Sequence, residues 1–380
     1  QIQVKGQNQL AREFPLGISP ERALGNMNLG TSYIDNSRLP SFQNEHRLVS
    51  GFGRLIYDFD QRFLTQFTFR ADGSSKFAEG RKWGYFPSGS VAWRISNENF
   101  FESLKSTIND LKIRVSYGEA GNNRIGDFLY LTQYGSGTQY WLNDQLITGY
   151  TPLDLANEFL QWETTVSRNI GLDMSFLRNR INLSVDAYRN NTKGLLVEVP
   201  ISFTSGYTTQ LQNVGTTISK GLEIQLGADV IARKDFNWNA NLNASFGRVK
   251  VESLGDIQDF YFRNSGWGFS NSPADFIIRE GDYIGSIWGF TTDGFYTLDD
   301  FTYANGTYTL NSGVPSNQTF TSLAPQPGRL KFRDINSDGA ITEADKGIIG
   351  VAQPKVFGGL NQQFRYKNFE LGIFVNYQFG

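Results

Sequence analysis

The sequence predicts an all-β protein, a transmembrane antiparallel β-barrel that crosses its bilayer with strands. Three observations predict it. Side chains alternate apolar and polar with a period of two. The alternating stretches run about nine to eleven residues, the length a tilted strand needs to cross a bilayer. The connections between them alternate short and long. Alternation puts an apolar and a polar face on each strand, and in a membrane barrel one faces lipid while the other faces the lumen.

The clearest stretch is NWNANLNASF, in which Trp238, Ala240, Leu242, Ala244 and Phe246 oppose Asn237, Asn239, Asn241, Asn243 and Ser245. The asparagine face is assigned to the lumen and the Trp238–Phe246 face to lipid. In INLSVDAYR, Ile181, Leu183, Val185 and Ala187 oppose Asn182, Ser184, Asp186 and Tyr188. In GLEIQLGADV, Leu222, Ile224, Leu226, Ala228 and Val230 oppose Glu223, Gln225, Gly227 and Asp229. LKIRVSY and FELGIFVNYQF follow the same rule with small faults. Tight turns fall at YDFDQR (57–62), FLRNR (176–180), ARKDF (232–236) and RYKNF (365–369), with a longer connection at 96–110 on the same side. Long stretches lie between them at 71–84, 119–160, 191–219, 251–284 and 297–354. Short turns at one end and long loops at the other fit an outer-membrane barrel with its long loops outside the cell. About twelve strands are counted, within the range of such barrels. Closure in lipid then requires further strands, because an unpaired edge has no water to bond.

Composition agrees. The 380 residues include 31 Phe, 17 Tyr, 7 Trp and 40 Gly, with only 19% charged residues, which suits strands with glycine at turns and bends. The net charge of −2 gives no electrostatic case for nucleic acid. The absence of cysteine excludes disulfides and thiolate metal sites, and the single histidine, His46, cannot make a two-histidine zinc site. No run of about 18 apolar residues marks a transmembrane helix. The chain opens at Gln1 without a leader and stops inside a strand pattern, so it is read as a segment of a longer protein.

One motif stands apart from the strands. DINSDGAITEAD (334–345) places Asp334, Asn336, Asp338, Ala340, Thr342 and Asp345 at the first, third, fifth, seventh, ninth and twelfth positions of a calcium loop. Ala340 offers its backbone carbonyl, and Gly339 stands at the sixth position, where the chain must turn sharply. Calcium takes six to eight oxygens, and this spacing wraps them around one point. The twelfth residue is Asp rather than Glu, and GRLKFR before it alternates like a strand, so the loop is not an EF-hand. The expectation is a structural calcium ion stiffening a long external loop; the bland reading is a solvated turn held by Asx-type hydrogen bonds.

Nothing supports catalysis. There is no G-x-S-x-G and no phosphate-loop motif, GFGRLI (51–56) reads as a strand, and RADGSSKF (70–77) reads as a structural hairpin top. Aromatics gather in the long stretches, at Tyr140, Trp141, Phe260, Tyr261, Phe262, Trp267 and Phe269. They are assigned chiefly to interface girdles and loop packing.

RFLTQFTFRADGSSKFAEGRKWGYFPSGSVAWRISNENFF (62–101) resembles the barrel region of SusC/RagA-type TonB-dependent outer-membrane transporters. The resemblance continues through 111–123, 160–196, 213–226, 279–296 and 327–374, in family order, and covers nearly all of 43–380. It implies a segment of a 22-stranded barrel, with 43–380 part of a single outer-membrane barrel domain and 1–42 an unassigned loop or strand lead-in. It also implies import of oligosaccharide or peptide nutrients in Bacteroidota, without an enzymatic step. The partners implied are a SusD-like surface lipoprotein as lid and the TonB complex through an N-terminal region outside this segment, with outer-membrane lipid around the wall. A structural or assembly subunit built on the same barrel is the alternative. A secreted carbohydrate-binding β-protein is a distant third.

Overall fold

The computed structural model describes residues 2–6, 45–255, 260–266 and 274–380. The residue 1–42 lead-in therefore lies outside the described residues except at 2–6, as do Trp267 and Phe269 among the loop aromatics.

Eleven strands form one antiparallel sheet in strict chain order. They are β1 (Ile2–Gly6), β2 (Glu45–Phe59), β3 (Phe63–Ser74), β4 (Trp83–Arg94), β5 (Ile108–Asn122), β6 (Glu163–Phe176), β7 (Ile181–Lys193), β8 (Thr216–Ala232), β9 (Phe236–Ser253), β10 (Val356–Tyr366) and β11 (Phe369–Phe379). Among the described residues each pairs with its sequence neighbours in the sheet, so the wall is a meander with β1 and β11 at its two edges. The sheet holds eleven strands rather than about twelve: among the described residues between 254 and 355 no strand joins it, and only an isolated bridge from Tyr283 reaches Lys250 of β9. There the short strands 260–263, 276–279, 286–290 and 346–351 pair among themselves as a four-stranded sheet. At four to six residues each, they are too short to cross a bilayer.

Strands β2 to β11 run from 11 to 18 residues, enough for the about nine to eleven a bilayer requires. The tight turns fall where the sequence puts them. After β2 the chain reverses through Asp60 and Gln61, both at φ 51°, with the Arg62 amide on the Phe59 carbonyl at 2.9 Å. Positive φ at both central positions matches the twist of the flanking strands. The long connections carry their own small structures, including the hairpin 134–142/145–152 and the pair 196–200/209–213.

Register decides which residues share a face. Val91, Val115, Ile170, Ala187, Leu222, Phe246 and Val356 stand opposite one another in a single row across β4 to β10. A parallel row runs through Leu111, Met174, Leu183, Leu226, Leu242, Leu360 and Val375. On β3, β5 and β6 this apolar face is open: Phe67 is 50% exposed, Val115 52% and Ile170 61%; on β9 Asn237, Asn241 and Asn243 are exposed while Trp238, Ala240 and Leu242 are half-buried. On β3 the exposed apolar Phe63 and Phe67 alternate with half-buried Leu64, Gln66 and Thr68. A soluble sandwich does the reverse, burying its apolar face. A contiguous apolar surface this wide needs an apolar neighbour, and lipid supplies one. Gln362 is an exception on this face, and its Oε1 accepts the Trp238 indole N–H at 2.6 Å, which satisfies a polar group that hydrocarbon would leave unpaired.

Candidate functional site

The polar face is the first candidate. Asp229, Asn239 and Asn241 form a chain of side-chain hydrogen bonds at 2.7 and 2.6 Å. Toward the short-turn end, Arg114 on β5 lies across β6 to reach β7. Its Nε and Nη2 donate to the two oxygens of Asp173 at 2.8 and 2.9 Å, and Nη2 also donates to Asp186 at 3.0 Å. Lys112 adds a second cation on Asp173 at 2.9 Å. Such a bidentate pair is geometrically specific. It is possible because Gly171 is the residue facing Arg114 across the strands; a Cβ there would stand 2.6 Å from the guanidinium carbon. Below it, Glu98 accepts from Arg62 Nε at 3.0 Å and from the Trp93 indole at 2.9 Å. The Arg62 bond above all, then Trp93, holds the Glu98 carboxyl below its usual range against the opposing cost of burial.

At the long-loop end, Phe86 fills the space left by two glycines. It is 5% exposed, and Cβ atoms at Gly84 or Gly121 would collide with its ring. Trp162 meets it edge-on at 5.6 Å and Phe77 at 5.4 Å from the Trp162 ring completes the cluster. The RADGSSKF stretch packs here. Asp72 and Ser74 are buried, Arg70 Nε donates to Asp72 at 2.6 Å, and Ser75 Oγ accepts the Arg47 amide at 2.8 Å. The serines thus tie the hairpin top to β2 and to Asn123. His46 sits beside them, half-buried, with Nδ1 3.7 Å from Asp127, which Lys76 also approaches at 3.8 Å.

The 334–345 loop is built from its own amides. Asp334 Oδ1 accepts from Ser337 N at 2.6 Å and Oδ2 from Gly339 N at 2.8 Å. Asp338 Oδ1 accepts from Ala340 N at 2.9 Å, and Oδ2 from Asn336 Nδ2 at 2.9 Å. Asp345, fully buried, accepts from Ile335 N at 2.9 Å and Thr342 N at 2.8 Å, and Thr342 caps the short turn 343–345. These bonds hold the Asp345 carboxyl below its usual range, the Thr342 amide contributing most. Gly339 turns at φ +84°, as the sixth loop position requires. Among the described residues, no three Asp, Glu, His or Cys side chains converge as a metal-holding group, and these three aspartates are no exception. The remaining positions of the loop are Asn336, the Ala340 carbonyl and Thr342, and the Gly339 amide on Asp334 ties its sixth position to its first.

The structure also brings together groups that no sequence motif marks. A cavity of about 780 Å³ opens between the connections 123–162 and 194–215, with Arg81, Glu158, Phe159, Gln161 and Gln212 on its walls. Their partners are far apart in the chain, so spacing gives no signal. The Arg114–Asp173–Asp186 cluster is half legible: its members lie on polar faces of alternating stretches, but only register shows that they meet.

The family model for TonB dependent receptor-like β-barrels matches residues 7–346. A TonB-dependent receptor of Formosa agariphila is 34% identical over 379 residues, all of this chain and 36% of that protein. The TonB-dependent receptor SusC of Bacteroides thetaiotaomicron is 32% identical over 340 residues, 88% of this chain and 31% of that protein. The chain thus spans about a third of the length of the curated relatives it matches. Among solved structures, the RagAB peptide transporter superposes with a TM-score of 0.69 at 22% identity, over 90% of this chain and 35% of that one. That likeness shows a shared fold.

Proposed function

The chain belongs to the family of TonB-dependent receptor β-barrels of the outer membrane, and on that premise we propose that it forms part of the wall of a nutrient importer. The cargo in this reading is an oligosaccharide or a peptide oligomer. A SusD-like surface lipoprotein closes the outer mouth, and the TonB complex supplies energy through contacts outside these 380 residues. The observation that carries the reading is the two-faced wall: an apolar face, exposed at Phe67, Val115 and Ile170, for lipid, and an opposite face of carboxamides, hydroxyls and compensated charges for a hydrated path. Such a face can pass a polar solute without a covalent step, in keeping with a family of transporters rather than enzymes.

Uptake decides it. Cells lacking the gene should lose uptake of one labelled class, glycan or peptide, and cells lacking TonB should lose the same one. Uptake indifferent to both deletions would leave a structural subunit as the better reading.

Calcium at Asp334, Asn336, Asp338, Ala340, Thr342 and Asp345 is a separate proposal, supported by spacing alone. Calcium should raise the melting temperature or slow proteolysis at 334–345, and a chelator should reverse it. If neither changes, the loop is a solvated turn held by its own amides.

A further inference from the structure

We propose that Arg168, Arg189, Lys220 and Arg248 form a binding site, on the outward face of the wall, for the phosphorylated headgroup of a glycolipid in the outer leaflet of the membrane. The inference rests on the family and on that facing, and is independent of what the barrel imports.

Strand pairing places the four in one row. Arg168 on β6 stands opposite Arg189 on β7, Arg189 opposite Lys220 on β8, and Lys220 opposite Arg248 on β9. They lie two residues along their strands from Ile170, Ala187, Leu222 and Phe246, toward the long-loop end, so they share the apolar face assigned to lipid. Arg168, Arg189 and Lys220 are exposed and Arg248 is half-buried. Lys250 on β9 and Lys193 on β7 continue the band upward on the same face. Trp238 marks the opposite end of that face. Arg248 stands about 34 Å above it along β9, at about 3.4 Å per residue. At a strand tilt of about 40° that is about 25 Å along the membrane normal, the height of the apolar band of such barrels. The cations therefore stand where the hydrocarbon ends and the headgroups begin.

Like charges directly opposite one another destabilise a sheet, and this row has no anion of its own. Among the described residues none of the four has a carboxylate within ion-pair distance. Arg168 lies 5.9 Å from the Tyr117 ring centre, and Arg189 Nε donates to Asn191 Oδ1 at 3.1 Å. Arg248 lies 5.2 Å from the Tyr283 ring centre, and its Nε is buried without a hydrogen-bond partner in the protein. The two carboxylates higher on this face are engaged elsewhere: Glu119 accepts the Tyr117 hydroxyl at 2.5 Å, and Glu252 accepts from Asn191 Nδ2 at 3.4 Å. The lumenal face is the contrast, since there Arg114 and Lys112 lie on Asp173 and Asp186. Cations facing the lumen are compensated within the chain; those facing lipid are not.

The missing anion then comes from the membrane. Three of the four cations are guanidiniums, which hold phosphate through paired N–H bonds. Four neighbouring strands spread the row over about 14 Å. That width suits a disaccharide headgroup with a phosphate at each end and exceeds a single glycerophosphate. The acyl chains of such a lipid would run down the row of Ile170, Ala187, Leu222 and Phe246 directly below.

The test uses the full-length receptor in a zwitterionic detergent and native mass spectrometry with diphosphoryl lipid A and, separately, phosphatidylglycerol. Diphosphoryl lipid A should bind, and more tightly than phosphatidylglycerol. Arg189→Gln should weaken it by about fivefold, and Arg168→Gln, Arg189→Gln and Lys220→Gln together by about a hundredfold, from the contribution of each basic residue at an anionic surface. Without lipid the triple variant should melt no lower than the parent, because like-charge repulsion is relieved; if it melts lower, Arg189→Gln alone decides. The control removes three charges at the other rim, Arg178→Gln, Lys234→Gln and Lys367→Gln, all exposed in the tight turns, and should keep the parent's affinity. The inference is overturned if lipid A does not bind, if binding ignores the row substitutions, if the control loses as much, or if phosphatidylglycerol binds equally well. Facing is read separately, by thiol labelling of Ala240→Cys and Leu242→Cys in lipid. Protection there with no lipid A binding sinks this inference alone, and labelling there sinks the facing with it.

Discussion

Gly358 on β10 gives the sharpest mechanical prediction. Tyr377 of β11 lies across it, with its hydroxyl donating to the Asn243 carbonyl of β9 at 2.7 Å, so one side chain ties three strands. A Cβ at Gly358 would stand 2.1 Å from the Asn243 carbonyl oxygen and 2.6 Å from the Tyr377 hydroxyl. The ring can rotate away, but the carbonyl belongs to the wall and cannot. Gly358→Ala therefore forces β9 and β10 apart locally. Overpacking of this kind costs about 1–3 kcal/mol, and losing the tyrosine bond adds about 1 kcal/mol. The expected loss is about 2–4 kcal/mol in urea unfolding of the full-length barrel in lipid vesicles. Gly51→Ala is the control, since no atom lies within 4 Å of its Cβ, and it should fall within about 0.5 kcal/mol of the parent. Equal stability of the two variants would refute the reasoning. So would full rescue of Gly358→Ala by Tyr377→Ala, because that would place the clash on the ring rather than the backbone.

Other outcomes follow from the two ends of the wall. Glu98 is ionised below the usual carboxylate range when folded, so its contribution is present above the unfolded pKa and is lost as pH falls through the lowered folded value. Acid titration followed by Trp93 fluorescence should show that step, and Glu98→Gln should abolish it; a step unchanged in the variant would contradict the assignment. Phe86→Ala should cost about 3 kcal/mol or more as a cavity opens beside Trp162, with a red shift of Trp162 emission. Emission that stays unshifted would mean the cluster does not enclose that indole.

Much of the wall was legible because a strand writes its two faces directly into alternate residues. Asn237 to Phe246 form one paired strand whose residues alternate between two faces, and the turns at 57–62, 176–180, 232–236 and 365–369 fell between paired strands. Tight turns are legible because their length leaves the chain no other course. The interval from 254 to 355 was legible as connection but not in its internal pairing. The sequence reads most of it as the long connections 251–284 and 297–354, and their short strands do pair with one another outside the wall; which pieces pair is what the pattern does not show. Sites assembled across connections were illegible for a related reason. Arg81, Phe159 and Gln212 have no fixed spacing, and Arg114 meets Asp186 only because β6 offers Gly171 between them. The 334–345 loop is the opposite case: its spacing is plain in the sequence, while the fold turns its carboxylates to amides.

The central claim is that the carboxamide face meets water and the Trp238–Phe246 face meets lipid. Single cysteines in a cysteine-free background of the full-length barrel, reconstituted in lipid, test it with a membrane-impermeant thiol reagent. Asn241→Cys and Asn243→Cys should react, and Ala240→Cys and Leu242→Cys should stay protected. Labelling of 240 and 242 with protection of 241 and 243 would turn the wall inside out and contradict the account.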